Sequence, residues 1–271
     1  MRWDWYQATV PAEPPVVLEA LRALGSSVVS GRGLNGYAGT FTVRDAAGQS
    51  VARVLAGGNS GARPNVAASG AWAEPVAAVL RATWPDHRVT RCDAAEDLAE
   101  PGAYDRLFGV CRSVAIDRGV KGRQILPDDT ADGRTYYLGA PTSDVRVRLY
   151  DKTAEARAAL PPERHAEVPD DWARLEVQAR PRQHWRAWAA RAEPADVWGL
   201  SGWSHELAKR ALELDIERVF TKVGRESDDE RAFRVMCDQY GKVLSRLAQD
   251  LGGWECVGLT IGDRVKTRGT S

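Results

Sequence analysis

Regular patterns of apolar and polar residues along the chain predict both strands and helices. Alternation at every second position is typical of a half-buried strand, and an apolar residue at every third or fourth position is typical of a helix on a core. Strands are predicted at residues 3–10, 37–44, 50–56, 88–93, 135–138, 144–150 and 173–180. Helices are predicted at residues 16–24, 69–84, 103–117, 152–160, 184–191, 204–220 and 230–251.

The order of these elements predicts the fold class. Residues 3–93 follow the order β-α-β-β-α-β, and the order recurs when the strand at 88–93 also opens a second set. This is the order of ferredoxin-like units, in which helices cover one face of an antiparallel sheet. We therefore expect an α+β protein with a large antiparallel sheet built from two ferredoxin-like halves, followed by a helical C-terminal portion.

The same pattern divides the chain into four segments. They are an N-terminal β-α-β-β-α unit at residues 1–87, a second unit at 88–191, a helical region at 192–261 and a polar tail at 262–271. In ferredoxin-like strand order, the first strand of the second unit lies between its third and fourth strands.

Composition narrows the class of protein. The chain has 271 residues with 37 basic and 37 acidic side chains, so its formal net charge is zero and a dense basic coat is excluded. The four cysteines and four histidines show none of the close spacings of a zinc site, and the cysteine pattern fits a reduced cytoplasmic protein. No export signal and no membrane span are expected, because charges interrupt every apolar run.

Two strands place reactive side chains on one side of the predicted sheet. The polar face of the strand at 144–150 carries Arg146, Arg148 and Tyr150, with Lys152 just beyond it. The strand at 173–180 carries Arg174, Glu176, Gln178 and Arg180. A solvated sheet face is the ordinary reason for such a pattern, but a tyrosine, a carboxylate and several guanidinium groups together also suit chemistry on a phosphate.

Asp93 adds a second carboxylate. Aspartate is disfavoured in strands, and the expected strand order places Asp93 between the strands of Tyr150 and Glu176. Two carboxylates from adjacent strands suit a hard divalent cation such as Mg²⁺ or Mn²⁺. A tyrosine beside them, with Arg148 and Lys152 favouring its phenolate, is suited to attack a phosphodiester and form a phosphotyrosine ester.

The basic residues of segment 172–191 predict contacts to a nucleic acid. Five arginines, including Arg182 and Arg186, stand against one acid in this segment. Such clusters bind phosphates without reading sequence. Trp185 and Trp188 lie among them, and they either stack on unpaired bases or pack into the core.

Three motifs in this order resemble those of one protein family. The longest is the segment T-Y-Y-L-G-A-P-T-S-D-V-R-V-R-L-Y-D-K at residues 135–152, and the others are W-A-R-L-E-V-Q at 172–178 and R-C-D-A-A-E-D at 91–97. With the pair Asp4-Trp5 in the first strand, they are similar to the signature of the replication initiation factors of rolling-circle plasmids and phages, the Rep-trans type, which includes related relaxases.

The resemblance implies a nicking function and a nuclease palm like that of the HUH enzymes but without their histidine pair. It identifies Tyr150 as the DNA-cleaving nucleophile and 88–191 as the catalytic unit, with Asp93 and Glu176 as metal-site residues. Tyr136 and Tyr137 are rival hydroxyls. The implied partners are origin DNA, single-stranded at the nick, a host helicase and a second copy of the chain.

Two other functions are consistent with the residues. One is a sequence-specific DNA-binding protein of a mobile element that does not cleave. The other is a ferredoxin-like RNA-binding module, which is disfavoured because the polar face carries arginines and carboxylates and lacks paired aromatics.

Overall fold

The structure is a computed structural model that describes residues 1–58, 63–126, 133–183, 185–219 and 228–268. The chain separates into two compact units, residues 1–220 and residues 221–271. The limits predicted at 87/88 and 191/192 are finer than this division and stay predictions.

A ten-stranded antiparallel sheet forms the first unit. Its strands are β1 (Arg2–Thr9), β2 (Ser27–Arg32), β3 (Gly39–Arg44), β4 (Ser50–Ala56), β5 (Asn65–Ser69), β6 (Arg88–Ala99), β7 (Gly122–Ile125), β8 (Thr135–Leu138), β9 (Val145–Asp151) and β10 (Trp172–Ala179). In space they follow the order β2-β3-β4-β5-β1-β6-β10-β9-β8-β7.

In the described part of the chain, six α-helices belong to the unit of the sheet and two lie in the second unit. They are α1 (Pro14–Leu21), α2 (Ala73–Thr83), α3 (Ala103–Asp117), α4 (Lys152–Ala158), α5 (Trp185–Ala189), α6 (Gly202–Leu212), α7 (Asp228–Leu251) and α8 (Trp254–Arg268). None of the helices in the described part of the chain is long and apolar enough to span a membrane. The expected α+β class, large antiparallel sheet and C-terminal helices are confirmed.

The predicted repeat of the two halves is present, but its ferredoxin-like strand order is wrong. Each half begins with a strand and a helix, continues through an antiparallel run of strands, and ends with a strand that pairs with the first. The two first strands, β1 and β6, pair with each other at the centre of the sheet. In the second half, β10 pairs with both β6 and β9, so it lies between them.

The core lies between the sheet and the helices on one of its faces. Alternate strand positions supply its apolar side chains, such as Val147 and Leu149 of β9 and Leu175 and Val177 of β10, all fully buried. Helix α3 has the boundaries that the sequence predicted. Its Leu107 packs into this core. The opposite positions of the same strands therefore form a separate, polar face.

Local signals failed at several elements. The sequence missed β2, β5, β7 and α8, and α8 reaches Arg268 inside the segment predicted as a polar tail. The predicted helix at 204–220 ends at Leu212, because Glu213 adopts a left-handed backbone (φ 54°) that stops a helix. Beyond it Leu214 and Ile216 pack against the core at every second position. Residues 184 and 220, at the ends of two predicted helices, lie outside the described residues.

Candidate active site

The polar face of the second half gathers the side chains that the sequence singled out. The strand register sets Arg148 opposite Glu176 and Tyr150 opposite Arg174 on β9 and β10. On the other side of β10, the register sets Gln178 opposite Asp93 of β6. Because side chains alternate between faces, these positions all lie on the face away from the core.

Glu176 is held by its neighbours on this face. Its side chain is 2% exposed, and Arg148 Nη2 donates a hydrogen bond to its Oε2 at 2.8 Å. Gln178 Nε2 donates to the other carboxylate oxygen at 3.0 Å. Glu176 is therefore a buried carboxylate with a charged partner, which is the usual condition for burying such a group.

Asp93 is also buried and paired. It is 1% exposed, and Arg91 Nε donates to its Oδ2 at 2.9 Å and to its Oδ1 at 3.1 Å. Burial raises the pKa of Asp93 to about 7, the Arg91 guanidinium opposes this shift, and the charges of Glu176 and Asp4 add to it. The charges of Glu176 and Asp4 therefore act on the ionisation of Asp93.

A second arginine joins Asp4 to Asp97. Arg174 Nη1 donates to Asp4 at 2.8 Å, and its Nε donates to Asp97 at 2.7 Å. The indole N–H of Trp172 donates to the same Asp97 oxygen at 2.9 Å. Arg174 is 5% exposed. Its hydrogen bonds join β10 to Asp4 on β1 and to Asp97 on β6. Its predicted DNA contact is untested and would require it to leave these partners.

Tyr150 lies under two cations. The Arg148 guanidinium is 4.2 Å from the centre of its ring, and Lys152 Nζ is 5.7 Å from it. Tyr150 is 4% exposed, and burial raises its pKa above the usual range, although Arg148 and Arg174 lower it in part. Arg148 favours the phenolate, as expected, but desolvation outweighs this effect in the resting site.

The corrected strand order changes the distance between the candidate groups. Asp93 and Tyr150 lie on strands about 10 Å apart with β10 between them, and the register sets them four positions apart along β10, which adds an offset of about 13 Å along the strands. Glu176, on β10, lies between them. The expectation that Asp93 is flanked by both other strands is replaced by an arrangement with Glu176 at the centre.

The carboxylates of this face are chemically suited to a divalent cation, but they are paired with arginines. Asp4, Asp93 and Glu176 supply hard oxygen donors of the kind that Mg²⁺ and Mn²⁺ prefer. Each of them is paired with an arginine. Among the described residues, no group of three or more histidine, cysteine, aspartate or glutamate side chains is arranged to hold a metal ion. A cation at Asp93 and Glu176 would therefore replace Arg91 and Arg148.

The remaining predicted DNA-binding arginines lie on β9 or after the end of β10. Arg146 stacks on Tyr137, with 3.8 Å from its guanidinium carbon to the ring centre. Arg180 donates to the Pro141 carbonyl at 3.4 Å. Arg182, which is 71% exposed, pairs with Asp144 at 2.7 Å, and Arg186 donates to the Pro181 carbonyl at 3.2 Å.

The structure shows the neighbours of four aromatic side chains for which the sequence allowed more than one role. Trp185 and Trp188 contact each other edge to face and pack against the core, which favours the core alternative. Tyr136 packs edge to face on Phe108 in the core, whereas Tyr137 lies under Arg146 on the polar face. Of the two rival hydroxyls, the one on Tyr137 shares the face of Tyr150.

The sequence did not reveal the arginine partners of the buried carboxylates. Arg91 and Asp93 are two residues apart in one strand, so they share a face, and this spacing was the available local signal. The Arg174 contacts with Asp4 and Asp97 span 170 and 77 residues. No local pattern predicts pairs at such separations.

The chain is similar to a protein of known structure. A structure described as the rolling circle replication initiator protein from Geobacillus stearothermophilus is 22% identical to this chain, with a TM-score of 0.48. The similarity covers 69% of this chain and 77% of that one. No family model matches the chain. No curated protein matches it either.

Proposed function

We propose that the protein is a rolling-circle replication initiator that nicks one strand of an origin through Tyr150. The observation that carries the proposal is the placement of Tyr150, Arg148 and Glu176 on adjacent strands of one polar face. A nucleophile, cations and a carboxylate are thereby held on strands of a sheet, and rigid elements keep catalytic groups in place.

The reaction is a transfer of a phosphodiester bond. The Tyr150 hydroxyl oxygen bonds to phosphorus, and the bond from phosphorus to the 3′ oxygen of the preceding nucleotide breaks. The protein is then joined to the 5′ phosphate, and the 3′ oxygen takes up a proton to become a hydroxyl. The phosphotyrosine ester conserves the bond for later rejoining.

Tyr150 needs help to lose its proton, because its pKa is raised by burial. Two carboxylates, Glu176 and Glu155, are close enough for their charge to act on the phenol. We assign proton acceptance to Glu155, because Glu176 is proposed below as a ligand of the metal ion. Arg148 and Lys152, which lie over the ring, stabilise the negative charge that develops as the phenol attacks.

We also propose that Mg²⁺ or Mn²⁺ is the cofactor, held by Asp93 and Glu176. Such an ion supplies Lewis-acid polarisation of a phosphate oxygen. The support is the buried oxygen donors on β6 and β10, and the proposal requires Arg91 and Arg148 to turn toward the DNA phosphates when the ion binds. A guanidinium released from a carboxylate is well suited to a phosphate.

The other assignments concern the partners. Arg146, Arg180, Arg182 and Arg186 bind the backbone of a single strand at the nick. Duplex unwinding is assigned to a host helicase, and the acting form to a homodimer.

One observation favours a second function, sequence-specific DNA binding without cleavage. Tyr150 is nearly buried and protonated, and both candidate metal carboxylates are occupied by arginines. A protein of this kind would use the arginines of the polar face to hold DNA and leave Tyr150 as a packing residue.

A nicking assay separates the two functions. Supercoiled plasmid DNA that carries the region flanking the gene is incubated with the protein and Mg²⁺ or Mn²⁺. We expect open-circular product from the wild type and from Tyr137→Phe, a control on the same face, and none from Tyr150→Phe. Nicking by Tyr150→Phe at the wild-type rate would remove Tyr150 from this role. Binding without nicking by the wild type would favour the second function.

A further inference from the structure

Three arginines beside the candidate active site have no carboxylate partner in the part of the chain that the structure describes. They are Arg123 on β7, Arg146 on β9 and Arg180 just after β10. The polar-face arginines closer to the carboxylates, Arg91 and Arg148, each pair with one. Arg123, Arg146 and Arg180 are here called the arginine cluster. No carboxylate of the described residues neutralises their charge.

The members of the cluster act on one another electrostatically. Burial lowers the pKa of the Arg146 guanidinium, Tyr137 opposes that shift, and the charges of Arg180, Arg148 and Arg123 lower it further. Arg146 Nε is buried and has no hydrogen-bond partner among the residues that the structure describes. Like charges held together with an unmet donor create a site that an anion stabilises.

Tyr137 keeps the central guanidinium of the cluster in place. The Arg146 guanidinium carbon is 3.8 Å from the ring centre of Tyr137, and the register sets Tyr137 opposite Arg123. A flat guanidinium stacked on an aromatic ring is pre-organised for bidentate binding to phosphate.

The distance to Tyr150 shows that this anion is not the one under attack. Arg146 and Tyr150 are four positions apart on the same face of β9, which corresponds to about 13 Å along a strand. A ligand that reaches both must carry anions at intervals, as a nucleic-acid backbone does.

We infer that the arginine cluster binds a backbone phosphate of the DNA strand other than the scissile one, and so sets the register of that strand over Tyr150. This inference rests on the proposed function, since it takes DNA as the ligand. It adds a specific second subsite, formed by Arg123, Arg146 and Arg180.

The test measures binding of a fluorescent single-stranded 20-mer by anisotropy at several salt concentrations. We expect Arg146→Ala to weaken binding by at least about tenfold, as loss of a charge-assisted hydrogen bond does. The slope of log K against log salt should fall by about 0.7 for one lost phosphate contact. Arg22→Ala, which removes an exposed cation just after α1, is the matched control.

A methylphosphonate scan of the 20-mer then shows whether the cluster reads one particular phosphate. The scan uses DNA of the sequence cut in the nicking assay, so that the register is fixed. Neutralising one phosphate should weaken binding to the wild type and leave binding to Arg146→Ala unchanged. Inorganic phosphate at the same ionic strength should not displace the DNA from the wild type, because one anion lacks the second contact.

Two controls keep the outcomes separate. Arg123→Ala changes an exposed side chain on an edge strand, so it tests the site even if Arg146→Ala does not fold. Losses in both variants no larger than in Arg22→Ala would overturn the inference, and Tyr150-dependent nicking would be untouched by that result. Binding that depends on the cluster in a protein that never nicks would overturn the nicking function alone.

Discussion

Arg148 on β9 and Glu176 on β10 face each other across neighbouring strands and share a hydrogen bond of 2.8 Å. The same guanidinium lies 4.2 Å from the centre of the Tyr150 ring. Arg148 therefore connects the candidate nucleophile with the central carboxylate of the polar face. Whatever releases Glu176 from Arg148 also changes the charge around Tyr150.

Metal binding is expected to raise the thermal stability of the wild type and not of Glu176→Gln. A ligand that binds only the folded state stabilises it by an amount that grows with the logarithm of its concentration. Melting temperatures are measured with increasing Mn²⁺, and Asp170→Asn, which removes an 85% exposed carboxylate, is the control. Equal shifts in Glu176→Gln and the wild type would contradict a cation site at Glu176.

Arg174→Ala is expected to lower the free energy of unfolding by about 3 kcal/mol, because it leaves Asp4 and Asp97 without their buried partner. Urea denaturation followed by circular dichroism measures the change. Arg182→Ala breaks an exposed pair with Asp144 and should cost at most about 1 kcal/mol. A loss for Arg174→Ala no greater than for Arg182→Ala would show that the buried network does not hold the strands.

His87 predicts a pH dependence of stability. It is fully buried, its Nε2 is 2.7 Å from the Tyr6 hydroxyl, and burial lowers its pKa below the ordinary 6.5. The unfolded chain therefore binds a proton at this group more readily, so the contribution of His87 to stability is lost as the pH falls below about 6.5.

The variant His87→Gln isolates this contribution, because Gln does not titrate. When the pH is lowered from 7.5 to 5, the unfolding free energy of the wild type should fall relative to that of His87→Gln. Urea midpoints of both proteins at each pH measure it. A difference that is constant across this range would contradict the account of His87.

The sequence predicted which residues share the polar face but not which strands are neighbours. Alternation within a strand is a local property, so Arg148, Tyr150 and Glu176 were correctly placed away from the core. Strand pairing is set by contacts between distant segments. The short strand β5, Asn65–Ser69, is largely made of small residues and gave no clear alternation.

The electrostatic state of the site was equally beyond the sequence. Cations near Tyr150 were visible in the motif, but the degree of burial that raises its pKa depends on the packing of the whole unit. The partner of Glu176 follows from strand register. Residue types and spacing therefore identified the candidate site, while its resting charges required the structure.

The most direct test of the central claim is to identify the residue that becomes joined to DNA. The protein is incubated with a random-sequence single-stranded library, the adduct is digested, and the attached nucleotide is located by mass spectrometry. The account predicts a 5′-phosphate ester on Tyr150, retained with 3′-labelled and not 5′-labelled DNA. An adduct on Tyr137 or another residue, or no adduct from a protein that binds the library, would contradict it.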